Sequence, residues 1–160
     1  VRQATEILGQ IDILVANGGG PPPGNFASTD VEAYISANER SMLATIAMTK
    51  LVVPEMQARK WGRVVAITST SVRQPIANLI LSNTARAGLT AFLKTVATEV
   101  AADGVTINSV QPGSHATDRI KQIYGESLNA GQNQIVALNR GSQDGIERGH
   151  VLTRQRQPRP

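Results

Sequence analysis

In a chain of 160 residues without cysteine, chemistry must come from hydroxyls, two histidines and charged side chains. Thr68-Ser69-Thr70-Ser71 sets hydroxyls in an unbroken row, Ser82 carries another, and Arg86 follows one helical turn later. His115 and Asp118 come just after Pro112-Gly113. A histidine oriented by a carboxylate and close to a serine is the minimum for nucleophilic hydrolysis, because the imidazole takes the hydroxyl proton during attack. Ser69 or Ser82 with His115 therefore predicts a serine-dependent hydrolase or esterase. No G-x-S-x-G elbow accompanies the set, and a solvent-facing loop histidine is the plainer reading of His115. Gly18-Gly19-Gly20 could cradle a phosphate, but a turn leaving a strand explains it as well. Without thiols no disulfide or Cys-based metal site is expected, and no metal is assigned.

Elements must bring these residues together. Ile11-Asp12-Ile13-Leu14-Val15-Ala16 predicts a short buried parallel strand, broken by Asn17-Gly18-Gly19-Gly20 and the prolines after it. Before it, Thr5 to Gln10 could finish a helix. Ser28-Thr29-Asp30 offers N-caps for a long helix over 31–60. Met42, Ile46, Thr49, Val53 and Met56 give that helix an inward stripe, and Pro54 predicts a kink or a junction of two helices. Arg63-Val64-Val65-Ala66-Ile67 is a second strand. A loop through Pro75 leads to a helix over 83–102, with Leu89, Phe92, Leu93, Val96 and Val100 on one face. Gly104 ends it, and Val105–Val110 is a third strand. Strands alternating with helical crossovers predict an α/β fold with a parallel sheet, right-handed connections and helices on both faces.

These segments carry a resemblance. Ile11–Gly19 resembles the D-x-L-V-N-N-A-G strand and turn of short-chain dehydrogenases/reductases. Trp61–Ser69 is similar to G-R-I-V-N-I-S-S, Ala85-Arg86-Ala87-Gly88-Leu89 to S-K-A-A-L, and Val105–Gly113 to I-R-V-N-x-I-x-P-G. The motifs run in family order over roughly residues 5–120. The resemblance implies a Rossmann-like fold, a nicotinamide cofactor, NAD(P), and an Asn-Ser-Tyr-Lys catalytic set. It places Asn17, Gly18, Pro112 and Gly113 beside the cofactor and the family serine on Ser69, which hydrogen-bonds the substrate oxygen. The family tyrosine falls on Ser82 and the lysine on Arg86. The asparagine falls near Ser41, with Asn38 one turn earlier on the same helix face. An aliphatic hydroxyl is a far weaker acid than a phenol with pKa of about 10. Arginine keeps its charge but cannot share a proton. The family's phosphate-cradling glycine loop lies ahead of the N-N-A-G turn, and no such loop occurs among the first ten residues. A truncated Rossmann-like chain, with NAD(P) binding weak or absent and doubtful carbonyl reduction, is the expectation.

Structural readings compete at each position. Asn17 could fix the turn by bonding nearby backbone. Ser69 could cap a strand end, and Ser82 is placed to N-cap the helix over 83–102, a reading that outranks catalysis. Arg86 could pair with an acid or cover an apolar face with its stem.

Composition narrows the classes. The chain is 41% hydrophobic and only 3% aromatic, so packing rests on Ala, Val, Leu and Ile. No stretch matches the ~20 apolar residues of a membrane span, and the first residues lack a signal-peptide run; a cytoplasmic protein is expected. The net charge of +4 arises beyond residue 118, where 7 basic residues meet 3 acidic ones. That tail has no aromatic among Arg154–Pro160 to stack on a base, so a solvated terminus is expected, with neither nucleic acid nor membrane as partner.

Residues 1–124 are assigned to the α/β domain, and 125–160 to a linker, a small β element and the basic tail. Within it, Ile135–Leu152 resembles an element near the ends of bacterial peptidoglycan-binding, LysM-type proteins. The partner expected is a small-molecule substrate, with a homo-oligomer formed through helices 31–60 and 83–102. A non-catalytic oligomeric scaffold is the third functional reading.

Overall fold

A computed structural model describes residues 1–112 of the chain. Gly113, His115, Asp118 and every feature assigned to 125–160 lie outside the described residues.

The apolar runs form three parallel strands: β1 (Ile13–Ala16), β2 (Gly62–Ile67) and β3 (Val105–Val110), in the order β1-β2-β3. Leu14 pairs with Val64, which pairs with Ile107, and Ala16 with Ala66 and then Ser109. β1 is shorter than the run that predicted it. At its entry the Arg59 guanidinium bonds the Ile11 carbonyl at 3.0 Å and the Asp12 carboxylate at 3.3 Å.

Helices connect the strands. α1 (Arg2–Leu8) precedes β1 and ends at Gly9; α2 (Val31–Asn38), a π turn (Glu39–Leu43) and α3 (Ala44–Ala58) join β1 to β2. The predicted break at Pro54 is corrected: α3 runs through that proline, and the change of register lies at 39–43 instead. Pro54 stands on the exposed side of α3, where its missing N–H costs one hydrogen bond without disturbing the buried stripe. α4 (Ile80–Val100) joins β2 to β3, and a 3-10 turn (Ala101–Asp103) closes it. Gly104 then turns left-handed at φ 71, where an added Cβ would overlap the Lys60 carbonyl. The glycine stop at this position follows from both constraints.

The core lies between one sheet face and α3 with α4. Met56 and Val64 are fully enclosed, and Leu89, Leu93, Val105 and Ile107 close around them. Each such side chain contributes about 1.5–3 kcal/mol on burial. The expectation of helices on both faces is met on one face only among the described residues. On the other side Ile13 and Val15 are 59% and 63% exposed. Burial in β2 and β3 alternates with period two, inward residues buried and outward ones half-buried. No helix among the described residues is long and apolar enough to cross a membrane.

Candidate functional site

The candidate residues gather where the three strands end. In an open parallel sheet, chain direction brings every strand's carboxyl end to one edge, and loops there form the ligand crevice. Here those loops begin at Asn17, Thr68 and Gln111.

Ser69 leaves β2 in extended conformation (φ −159, ψ 152) and caps a 3-10 turn, Thr70–Val72. Its Oγ accepts a hydrogen bond from the Ser71 backbone N–H at 3.1 Å. With that lone pair engaged, the hydroxyl proton remains to be donated outward. Thr68, one residue back, is tied to β3: its N–H and its hydroxyl donate to the Val110 carbonyl at 2.8 and 3.2 Å. The capping role read for Ser69 in the sequence and a donor role are therefore compatible in one geometry.

Ser82 and Arg86 stand one turn apart on α4 and are both buried. The N-cap reading of Ser82 is corrected. α4 starts at Ile80 with Leu79 as its cap, so Ser82 sits inside the first turn. Closure of the preceding loop falls to Asn83, whose amide nitrogen donates to the Ile76 carbonyl at 2.9 Å while its oxygen accepts from the Ile76 N–H at 3.4 Å. The Ser82 hydroxyl forms no hydrogen bond among the described residues. Arg86 donates from Nη1 to the carbonyls of Ile67 and Thr68, at 2.8 and 3.1 Å. Its charge is thereby fixed at the end of β2, directly behind Ser69.

The turn after β1 docks on the π turn. The buried Ser41 hydroxyl donates to the Gly19 carbonyl at 2.8 Å. A Cβ on Gly18 would come within 2.8 Å of the Arg40 carbonyl, so the two backbones approach closely. Asn17 is exposed and its side chain bonds no neighbouring backbone among the described residues, so the turn is held by Ser41 rather than by Asn17. Asn38 ends α2 just before the π turn. Inserted π turns occur often at functional sites, because the extra residue re-aims side chains along a helix. No residue type marks such a turn, so sequence reasoning missed it.

Pro112 is half-buried behind the buried Gln111 at the exit of β3. Gly113 and His115 lie outside the described residues, and the described residues contain no histidine. A groove of about 240 Å³ between α1 and α3, lined by Thr5, Ile11, Leu51 and Glu55, lies away from these strand ends and holds none of the candidate residues.

The exposed Asn17, the close-packed Gly18 backbone and Pro112 lie at the carboxyl ends of the strands, the same edge as Ser69. No residue among those described presents a helix N-terminus behind a glycine turn to a pyrophosphate, because the prolines from Pro21 onward follow the 17–20 turn.

The short chain dehydrogenase family profile matches residues 1–127. The chain belongs to the short-chain dehydrogenase family. Acetoacetyl-CoA reductase of Cupriavidus necator is 36% identical over 124 residues, covering 76% of this chain and 49% of the relative. The chain thus spans about half the length of that relative. A 7α-hydroxysteroid dehydrogenase complexed with NADH and 7-oxo glycochenodeoxycholic acid superposes with a TM-score of 0.70 at 26% identity, covering 76% of this chain and 48% of the other. A halohydrin dehalogenase bound to ethyl (2S)-oxiran-2-ylacetate superposes with a TM-score of 0.65 at 27% identity, covering 69% of this chain and 45% of the other. The short-chain dehydrogenase fold read from the motifs is the observed one, and an oxidoreductase lineage follows from family membership.

Proposed function

We propose that this short-chain dehydrogenase relative binds a small molecule through an acceptor oxygen at Ser69, and that carbonyl reduction by it is slow or silent. The observation that carries the reading is the Arg86 guanidinium locked on the Ile67 and Thr68 carbonyls behind the Ser69 hydroxyl. Ser69 donates a hydrogen bond to the substrate oxygen, and the fixed arginine charge stabilises negative charge developing there. A nicotinamide, when bound, supplies the hydride. The proton is the missing piece: Ser82 is an aliphatic hydroxyl, and arginine does not release a proton in the working pH range. Proton donation by a positioned acid contributes about 10²–10⁴-fold to such reactions.

The halohydrin dehalogenase likeness favours a second reading, in which the same hydroxyl holds an epoxide-type oxygen and no hydride moves. Both readings share the Ser69 contact. Calorimetric titration of ethyl acetoacetate and of ethyl oxiran-2-ylacetate into the protein tests it. Ser69→Ala should weaken whichever probe binds about two- to tenfold, the worth of one hydrogen bond. Equal affinity in the parent and Ser69→Ala would contradict the assignment.

Self-association is part of the proposal. Leu51 on α3 is 61% exposed and Leu43 in the π turn 47% exposed. α4 presents the small residues Ala87, Gly88 and Ala91 outward. An apolar ridge beside a smooth small-residue face suits close pairing of the helices with those of a second copy.

A further inference from the structure

Asparagine or aspartate followed by glycine can react with its own backbone. The glycine nitrogen attacks the side-chain carbonyl carbon and closes a five-membered imide ring, since no Cβ crowds the glycine and its backbone turns freely. The described residues hold two such pairs, Asn17-Gly18 and Asp103-Gly104. The fold treats them in opposite ways.

At Asp103-Gly104 both reacting groups are engaged. The Asp103 carboxylate accepts hydrogen bonds from Gln57 Nε2 and Lys60 Nζ, and the Gly104 N–H donates to the Ala101 carbonyl at 3.2 Å. At Asn17-Gly18 both are free. Asn17 is exposed, and neither its side chain nor the Gly18 N–H forms a hydrogen bond among the described residues.

We infer that Asn17 is a self-modification site, where the chain converts its own asparagine into aspartate and isoaspartate. The Gly18 nitrogen gives its proton to solvent base and bonds to the Asn17 side-chain carbonyl carbon. The bond from that carbon to Nδ2 breaks, and ammonia leaves with a proton from solvent. Water then opens the ring. Cleavage between the Gly18 nitrogen and the side-chain carbonyl leaves aspartate on an unchanged backbone. Cleavage between that nitrogen and the main-chain carbonyl leaves isoaspartate, whose main chain runs through the side chain. Nothing is oxidised or reduced. Either product puts a negative charge at the carboxyl ends of the strands, the edge that carries Ser69, whatever Ser69 binds.

The isoaspartyl link is one main-chain atom longer, and it meets a turn fixed on its far side. Gly18 packs against the Arg40 carbonyl, and the buried Ser41 hydroxyl holds the Gly19 carbonyl at 2.8 Å. The added atom displaces that carbonyl, so the isoaspartyl form loses the Ser41 bond.

The test ages the full chain in mildly alkaline buffer at body temperature, native and unfolded in guanidinium chloride. Peptide mass spectrometry with electron-transfer fragmentation, which tells isoaspartate from aspartate, follows positions 17 and 103. Native Asn17 should gain one mass unit at a rate within about tenfold of the unfolded chain, a barrier difference of about 1.4 kcal/mol at most. Isoaspartate at 103 should form in the unfolded chain and be suppressed in the native one. The aged protein should melt below the fresh protein. Fresh Asn17→Asp, which carries the charge without the extra atom, should melt with the parent. Asn17→Gln, whose ring would need six members, should gain no mass at 17 on ageing. Asn17 left intact in the native protein while the unfolded chain converts overturns the inference. Isoaspartate at 103 forming as fast in the native as in the unfolded chain overturns it too, because hydrogen bonding would not then choose between the pairs. An aged protein that carries isoaspartate at 17 and melts like the fresh one overturns the loss of the Ser41 bond.

Discussion

Arg86 Nη1 lies 2.8 Å from the Ile67 carbonyl oxygen, so a buried side chain of α4 is tied to the end of β2. The same nitrogen reaches the Thr68 carbonyl at 3.1 Å. Arg86→Ala would leave two carbonyls and a side-chain volume unsatisfied in a buried place. The expected loss is about 2–4 kcal/mol of unfolding free energy, measured by denaturant titration. Arg86→Lys should lose less, because one point donor can satisfy only part of the pair. A loss below about 0.5 kcal/mol for Arg86→Ala, the range of ordinary surface changes, would show that the bonds are not structural.

The Ser41 hydroxyl holds the turn after β1 through Gly19. Ser41→Ala should cost about 1–3 kcal/mol, as expected for a buried carbonyl left unpaired. Gly18→Ala should cost about as much through overlap with the Arg40 carbonyl. The two changes loosen one contact, so the double variant should lose less than the sum of the single losses. Additive losses in a double-mutant cycle would mean that turn and π turn are not coupled.

Asp103 joins the end of α4 to Lys60 and Gln57. The hydrogen bond from Lys60, then that from Gln57, holds its carboxyl below the ordinary value of 3.8. A carboxylate depressed in the folded state stabilises above its unfolded pKa, and the contribution is lost as pH falls through the folded pKa. The parent should therefore exceed Asp103→Asn in stability by a constant margin between about pH 5 and 7, shrinking below about pH 4. Melting curves across that range check it. A margin that widens on acidification would have the wrong sign for this interaction.

Much of the fold was legible because its elements announce themselves. β2 carries the apolar run Val64–Ile67, β3 sets Val105 and Ile107 at the two-residue spacing of a strand, and α4 carries Leu89, Leu93 and Val100 on one face, the residues that the structure buries. Gly104 was readable as a stop because a left-handed turn needs glycine. The π turn was not readable, because one extra residue in a helix changes direction without changing composition. Pro54 drew attention to a junction that lies elsewhere, since a proline on an exposed helix face can be absorbed. Ser69 follows β2 directly, and Arg86, one turn after Ser82 on α4, reaches the carbonyls at the end of that strand. Ser82 looked like a cap because the apolar Ile80-Leu81 start of α4 hides the true first turn, and the closing role belongs to Asn83.

The exposed ridge predicts a change in assembly rather than in fold. Leu51→Glu places a charge on a side chain that is 61% exposed, so the monomer should keep its melting behaviour within about 0.5 kcal/mol. Sedimentation velocity should show the parent as a dimer or larger and Leu51→Glu as a monomer. A parent that sediments as a monomer at high concentration contradicts the proposed helix pairing.

The central claim is that the site keeps a hydroxyl donor at Ser69 and lacks the acid for hydride transfer at position 82. Steady-state oxidation of NADH and NADPH with ethyl acetoacetate, by the full chain, measures it most directly. The account predicts turnover below about 0.1 s⁻¹, at least a hundredfold under the ~10 s⁻¹ typical of enzymes. Turnover near or above 10 s⁻¹ with either nucleotide, unaffected by Ser82→Ala, would contradict it.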